Sequence, residues 1–142
     1  MNYTELEQKL GKQIEADWHQ ASGGGWIHKN AKVDNEANIR DNAIVMGNAW
    51  VYGDAEVFGD AEVSGNAWVY GNAWEKSPLY LLDSRNHGAT NCKHGWLKIG
   101  CEEHTFQDWD KNFDQIAIKH NLTDAEKIEY RAIIDLFIKI GK

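Results

Sequence analysis

Four residues near the middle of the second half bring two thiols and two imidazoles into thirteen positions: Cys92, His94, Cys101 and His104. Thiolate and imidazole are the ligands of tetrahedral zinc, and a hairpin turning at His94-Gly95 would set the two cysteines across from one another. The spacing, C-x-H followed by C-x2-H, matches no ribbon or finger pattern, and free cysteines commonly serve as small buried apolar residues. The four are therefore a metal candidate, and no metal is assigned from them. Just upstream, Asp83, Arg85 and His87 offer a second polar group. They read either as part of a ligand site or as a turn held by its own side-chain hydrogen bonds. A small anionic ligand needs converging cationic donors, and in this part of the chain those are Arg85, Lys93 and Lys98.

The elements that must position these residues are of two kinds. From Gly25 to Pro78 the chain runs as nine hexads of one pattern: Ala, any residue, Val or Ile, any residue, Gly, then Asn or Asp. The clearest copies are AIVMGN, AWVYGD, AEVFGD, AEVSGN and AWVYGN, starting at Ala43. A fixed period of six without insertion is a solenoid signature. Val or Ile between freely varying neighbours describes a short strand with one inward side chain. Ala two positions earlier points inward again, and Gly with Asn or Asp closes each hexad at a corner.

On those hexads the chain resembles the left-handed parallel β-helix of hexapeptide-repeat proteins, in which three hexads make one triangular coil. The resemblance implies a mainly β solenoid of three coils over residues 25–78, with residues eighteen apart stacked in columns. The inward columns would be Ile27, Val45, Val63; Val33, Val51, Val69; and Ile39, Val57, Glu75. The carboxylate in the last is costly to bury without a partner. Outward, Trp50 and Trp68 share one column and Tyr52 and Tyr70 its neighbour, so one face carries four large aromatics. Asn38, Glu56 and Trp74 form another column, and Ile44 and Glu62 a further one. A contiguous aromatic patch is seldom left bare, so Trp50, Tyr52, Trp68 and Tyr70 are a candidate binding face, or an interface covered by helices or a second subunit.

The flanks complete an expected three-part organisation. Residues 1–24 read as a capping or oligomerisation helix over 4–20, opened by Thr4 and Glu7 as a capping box, followed by a Gly-rich hinge. Leu6, Leu10, Ile14 and Trp18 make its apolar stripe. Residues 79–142 read as an α+β domain: a β-hairpin with strands near Leu79–Leu82, Ala89–Lys93 and Trp96–Cys101, then two helices starting at Thr105 and Thr123. The last helix carries Ile128, Ala132, Leu136 and Ile140 at four-residue spacing, widened by Ile133, Ile134, Phe137 and Ile138. That end is expected to be buried, between subunits.

Hexads together with this tail also resemble a group of short phage and prophage proteins. The matching residues are Asp83-Ser84-Arg85, Thr90, Ile99-Gly100-Cys101 and Thr105 to Trp109. The resemblance implies a phage origin and, from the wider hexapeptide group, a homo-oligomer, with trimers common. It also raises acyl-coenzyme A-dependent acyl transfer as an alternative, with His28 as general base. Three coils without an interrupting loop leave little room for that chemistry, and His28 otherwise reads as a solvated strand residue.

The formal charge of −7 argues against direct nucleic-acid binding and against an anionic membrane. Two cysteines make no disulfide framework, and neither a leader pattern nor a membrane-length apolar run is present in the sequence given. The expected setting is the cytoplasm, that of a host if the protein is phage-encoded. The expected function is non-catalytic binding without a cofactor: a homo-oligomer that blocks or sequesters a host defence component, either a host protein or a small nucleotide ligand. A purely structural oligomerisation module is the remaining alternative.

Overall fold

The computed structural model describes residues 1–142, which divide into two compact units, Met1–Pro78 and Leu79–Lys142.

The first unit opens with α1, Tyr3–Leu10, and a single 3-10 turn, Glu15–Asp17, before β1, Trp18–Gln20. Nine short strands follow: β2 Trp26–His28, β3 Lys32–Val33, β4 Asn38–Ile39, β5 Ile44–Val45, β6 Trp50–Tyr52, β7 Glu56–Val57, β8 Glu62–Val63, β9 Trp68–Tyr70 and β10 Ala73–Trp74. The second unit contains β11 Tyr80–Leu82, β12 Gly88–Lys93, β13 Trp96–Ile99, β14 Glu102–Thr105, α2 Phe106–Lys119 and α3 Asp124–Ile140.

The pairing of these strands corrects the expectation of a mainly β solenoid, a three-coil left-handed parallel β-helix followed by a hairpin and two helices. The strands form several small sheets of mixed character. β1 joins β2 antiparallel, at the edge of a sheet that continues through β5 to β8 in parallel. Two three-stranded parallel sheets are ordered β3-β6-β9 and β10-β7-β4. The tail holds a four-stranded antiparallel sheet, β11-β12-β13-β14, where a hairpin was expected. β14 is the strand that the sequence reading missed: Gly100 at φ 56 reverses the chain, and Glu102–Thr105 pairs back along β13.

Within the first unit the six-residue period sets which residues meet. Ile27 pairs with Val45 and Val45 with Val63, while Val33, Val51 and Val69 form a second row. Ala43, Ala49, Ala55, Ala61 and Ala67 are all fully buried beside them. Corner glycines are needed where backbones pass closely. A Cβ on Gly47, at φ +66, would stand 2.9 Å from the backbone N and O of Gly65.

The third expected column fails at its last member. β10 pairs one residue out of step, Ala73 with Glu56 and Trp74 with Val57, so Trp74 is 2% exposed and Glu75 faces outward. A one-residue slip turns every side chain of a strand to its other face. Here it exchanges a carboxylate that would be costly to bury for a large apolar ring.

The N-terminal helix is also shorter than expected. Asn2 caps it, with Glu5 closing the capping box, and Gly11 at φ 82 ends it. Leu6 packs with Trp18, Trp26 and Ile44, so α1 and β1 cover a face on which Ile44 was expected to point outward. Ile14 is exposed.

In the second unit, α2 and α3 lay Trp109, Phe113, Ala117, Ile133, Ile134 and Phe137 against Ala89, Leu97 and Ile99 of the sheet. Thr105 and Thr123 cap the two helices as their sequence predicts. The stripe of Ile128, Ala132, Leu136 and Ile140 does not enter this core; all four are exposed. No helix is long and apolar enough to cross a membrane.

Candidate functional site

The turn joining β11 to β12 is built around Asp83. Its Oδ1 accepts the backbone N–H groups of Arg85 (2.9 Å) and His87 (2.7 Å), and its backbone N–H donates to the His87 carbonyl. Its Oδ2 accepts the hydroxyl of Tyr130, which arrives from α3. Burial alone would raise the Asp83 pKa, but the bonds from Tyr130 and from the His87 and Arg85 backbone outweigh it and lower the value. Burial, with the bond to Asp83, pushes the Tyr130 hydroxyl up to about 12. Arg85 donates through Nη2 to the Tyr130 hydroxyl (2.7 Å) and pairs through Nη1 with Glu126 (2.5 Å). His87 Nδ1 lies 3.0 Å from the same hydroxyl. Ser84 donates twice to Glu129, through its N–H and its hydroxyl. This segment is a turn pinned to α3 by its side chains.

A second polar group surrounds Glu102, the first residue of β14. Oε1 accepts from Lys119 Nζ and lies at the same 2.8 Å from His120 Nε2, while Oε2 lies 2.7 Å from His104 Nε2. The bonds from Lys119 and His120 chiefly, with that from His104, overcome burial and hold the Glu102 carboxyl down at about 2. Lys119 and His120 close α2, where the carbonyl end of the helix favours positive charge.

Between these two groups lies a cavity of about 210 Å³. Ile99, Trp109, Phe113, Ile116 and Leu122 supply its apolar wall. Its polar lining comes from Arg85, His87 and Tyr130 of the first group and from Cys101, Glu102 and His120 of the second. Trp109 is fixed by a 2.7 Å bond from its Nε1 to the Leu97 carbonyl and by edge contact with the His104 ring.

The expected site residues divide accordingly. Arg85 lines the cavity; Lys93 and Lys98 do not, since Lys93 lies 4.0 Å over the Trp96 ring and Lys98 donates to the Gly100 carbonyl. The four proposed metal ligands separate. Cys92 is fully buried, with its Sγ 3.8 Å from Glu103 Oε1, and burial pushes its thiol pKa up. His94 sits in the β12–β13 turn, His104 bonds Glu102, and Cys101 is exposed in the next turn. Cys101 meets Glu102 and His120, with one ligand atom of each within 4.8 Å of the others. Sequence reasoning missed Glu102, His120 and Tyr130. Only the adjacency of Glu102 to Cys101 marked any of them, because His120 and Tyr130 come from the two helices.

In the first unit, the four aromatics do meet. Trp50 pairs with Trp68 and Tyr52 with Tyr70, with ring centroids 4.8 and 4.4 Å apart, and all four are half-buried. Lys32 Nζ lies 5.2 Å from the Trp50 ring. His28 stacks edge-on against Trp18 at 4.9 Å, and its Nδ1 accepts the Asn30 backbone N–H.

No protein-family model, no curated protein and no solved structure matches the chain.

Proposed function

We propose that this is a non-catalytic binding protein that holds a small ligand, a flat apolar ring carrying one anionic group, in the cavity of its C-terminal unit. The observation that carries this reading is the composition of the cavity wall: apolar side chains with Arg85 and His87 at one end, set apart from the Glu102 carboxylate, which is held by Lys119, His120 and His104. The Arg85 guanidinium has more N–H donors than its contacts with Tyr130 and Glu126 use. The Asp83 carboxylate, by contrast, is spent on its own turn and on Tyr130, which suits a scaffold better than a general base.

At about 210 Å³ the cavity is smaller than the roughly 300–1,000 Å³ of pockets for drug-sized ligands. A mononucleotide would insert its base or its phosphate-bearing end, not its whole length. Withholding such a ligand from a host signalling system is the biological role proposed, in keeping with the resemblance to phage proteins. Self-association is proposed to use the exposed stripe of Ile128, Ala132, Leu136 and Ile140 on α3. The half-buried aromatic face of Trp50, Tyr52, Trp68 and Tyr70 supports a second reading, the blocking of a host protein through aromatic anchors.

Calorimetric titration of the full chain with nucleoside monophosphates, aromatic carboxylates and aryl phosphates tests the ligand reading. At least one should bind, Arg85→Ala should weaken it at least about tenfold by removing a charged donor, and Ile116→Trp should fill the cavity and abolish binding while the fold persists. Absence of binding across the panel, or binding indifferent to both substitutions, would overturn it.

A further inference from the structure

The cavity wall contains three side chains of different chemistry whose ligand atoms converge: Cys101 Sγ, a Glu102 carboxylate oxygen and an imidazole nitrogen of His120, all within 4.8 Å of one another. We propose that these three residues bind a divalent transition-metal ion of the zinc type, with a fourth coordination position open to the cavity. Thiolate, imidazole and carboxylate together suit zinc, and three protein ligands with one open position is its arrangement at sites that take a ligand.

Two of the three ligands already stand close to the separation that a shared ion requires. Glu102 Oε1 and His120 Nε2 are 2.8 Å apart, while two such ligands about 2.0–2.2 Å from one tetrahedral ion stand roughly 3.3 Å from each other. For that pair the required movement is about half an ångström, and Cys101 Sγ, within 4.8 Å of both, must close to the roughly 3.6 Å that separates thiolate and imidazole ligands on one tetrahedral ion. These movements fall at two chain reversals, the Gly100-Cys101 turn and the end of α2, and not within the packed core. Glu102 is already oriented from behind, since His104 Nε2 holds its Oε2 at 2.7 Å, the outer support that ligating carboxylates commonly have. Lys119, the competing cation on Oε1, has a side chain 68% exposed and can withdraw into water. The carbonyl end of α2 adds a field that favours a cation at His120.

On binding, the Cys101 thiol loses its proton to solvent, Glu102 is already ionised, and His120 ligates through Nε2 with its proton on Nδ1. The open position then takes water or the anionic group of a cavity ligand. The ion site requires no occupant of the cavity, so it stands or falls separately from the ligand reading.

The test uses Co²⁺ and Zn²⁺ alone with the reduced full-length chain. One Co²⁺ per chain should give a thiolate-to-cobalt charge-transfer band, displaced by one equivalent of Zn²⁺. Cys101→Ser, at an exposed position, should remove the band while circular dichroism remains native. His120→Gln should weaken Zn²⁺ binding at least about tenfold, as loss of even an outer partner can do. No metal uptake by the wild-type chain, or a band retained in Cys101→Ser, would overturn the proposal, the latter by assigning the thiolate to Cys92.

Discussion

The two units of this chain reach stable cores by opposite routes. From Ala43 to Gly71 the same small solution recurs, one Val and one Ala inward per hexad with a positive-φ glycine at each corner. In Leu79–Lys142 nothing recurs. A single apolar cluster joins one antiparallel sheet to two helices, and the polar side chains gather into two networks that border a cavity. The repeating unit spreads its stabilisation over many equivalent small contacts. The other concentrates it in a few large rings and a few charged bonds, and there the chemically versatile residues converge.

That contrast can be broken by substitution, starting with the largest expected effect. Trp109 is 1% exposed, and its Nε1 serves the Leu97 carbonyl. Trp109→Ala should cost about 3–5 kcal/mol, with hydrogen-exchange protection falling across residues 79–142 and remaining near wild type over residues 1–78. Equal loss in both units would show that the two do not unfold separately. Gly47→Ala probes the repeating unit: at φ +66, with Gly65 backbone atoms 2.9 Å from the new Cβ, it should cost about 2 kcal/mol. Protection should fall mainly around β5 and β8, and a loss confined to residues 79–142 would contradict the account.

The smallest expected effect is electrostatic. Glu102 has its pKa lowered from the model-peptide value of 4.5 to about 2 in the folded chain. Its contribution is therefore present above pH 4.5 and disappears as the pH falls toward 2. Glu102→Gln should destabilise the second unit by about 1–2 kcal/mol at pH 7, because water around Lys119 screens the pair, and by almost nothing at pH 2. Denaturant titrations at the two pH values check this. An equal difference at both would assign the effect to packing and not to charge.

Much of the first unit is legible because its period makes one local rule repeat. Which residues face inward follows from the hexad itself, and Thr105 and Thr123 cap α2 and α3 through bonds to residues only three positions away. The misreadings have a common physical origin. The hexad pattern extends through Glu75, but the cost of burying a carboxylate against the gain from burying Trp74 shifts β10 by one residue. Glu102–Thr105 lacks a distinctive pattern and becomes a strand by pairing with β13. On α3 the four-residue spacing of Ile128, Ala132, Leu136 and Ile140 looks like a core face, yet Tyr130, Ile133, Ile134 and Phe137 are the residues buried. A helix with apolar residues on more than one face does not state which side packs.

The sequence by itself determined the repeating strands, their corner residues and the caps of the last two helices, because each depends on interactions within a few residues or on a strict period. Tertiary structure alone decided the candidate site. Tyr130 reaches Asp83 across forty-seven positions and His120 reaches Glu102 across eighteen. Distances of that kind are set by how α2 and α3 pack on the antiparallel sheet, and local spacing carries no record of them.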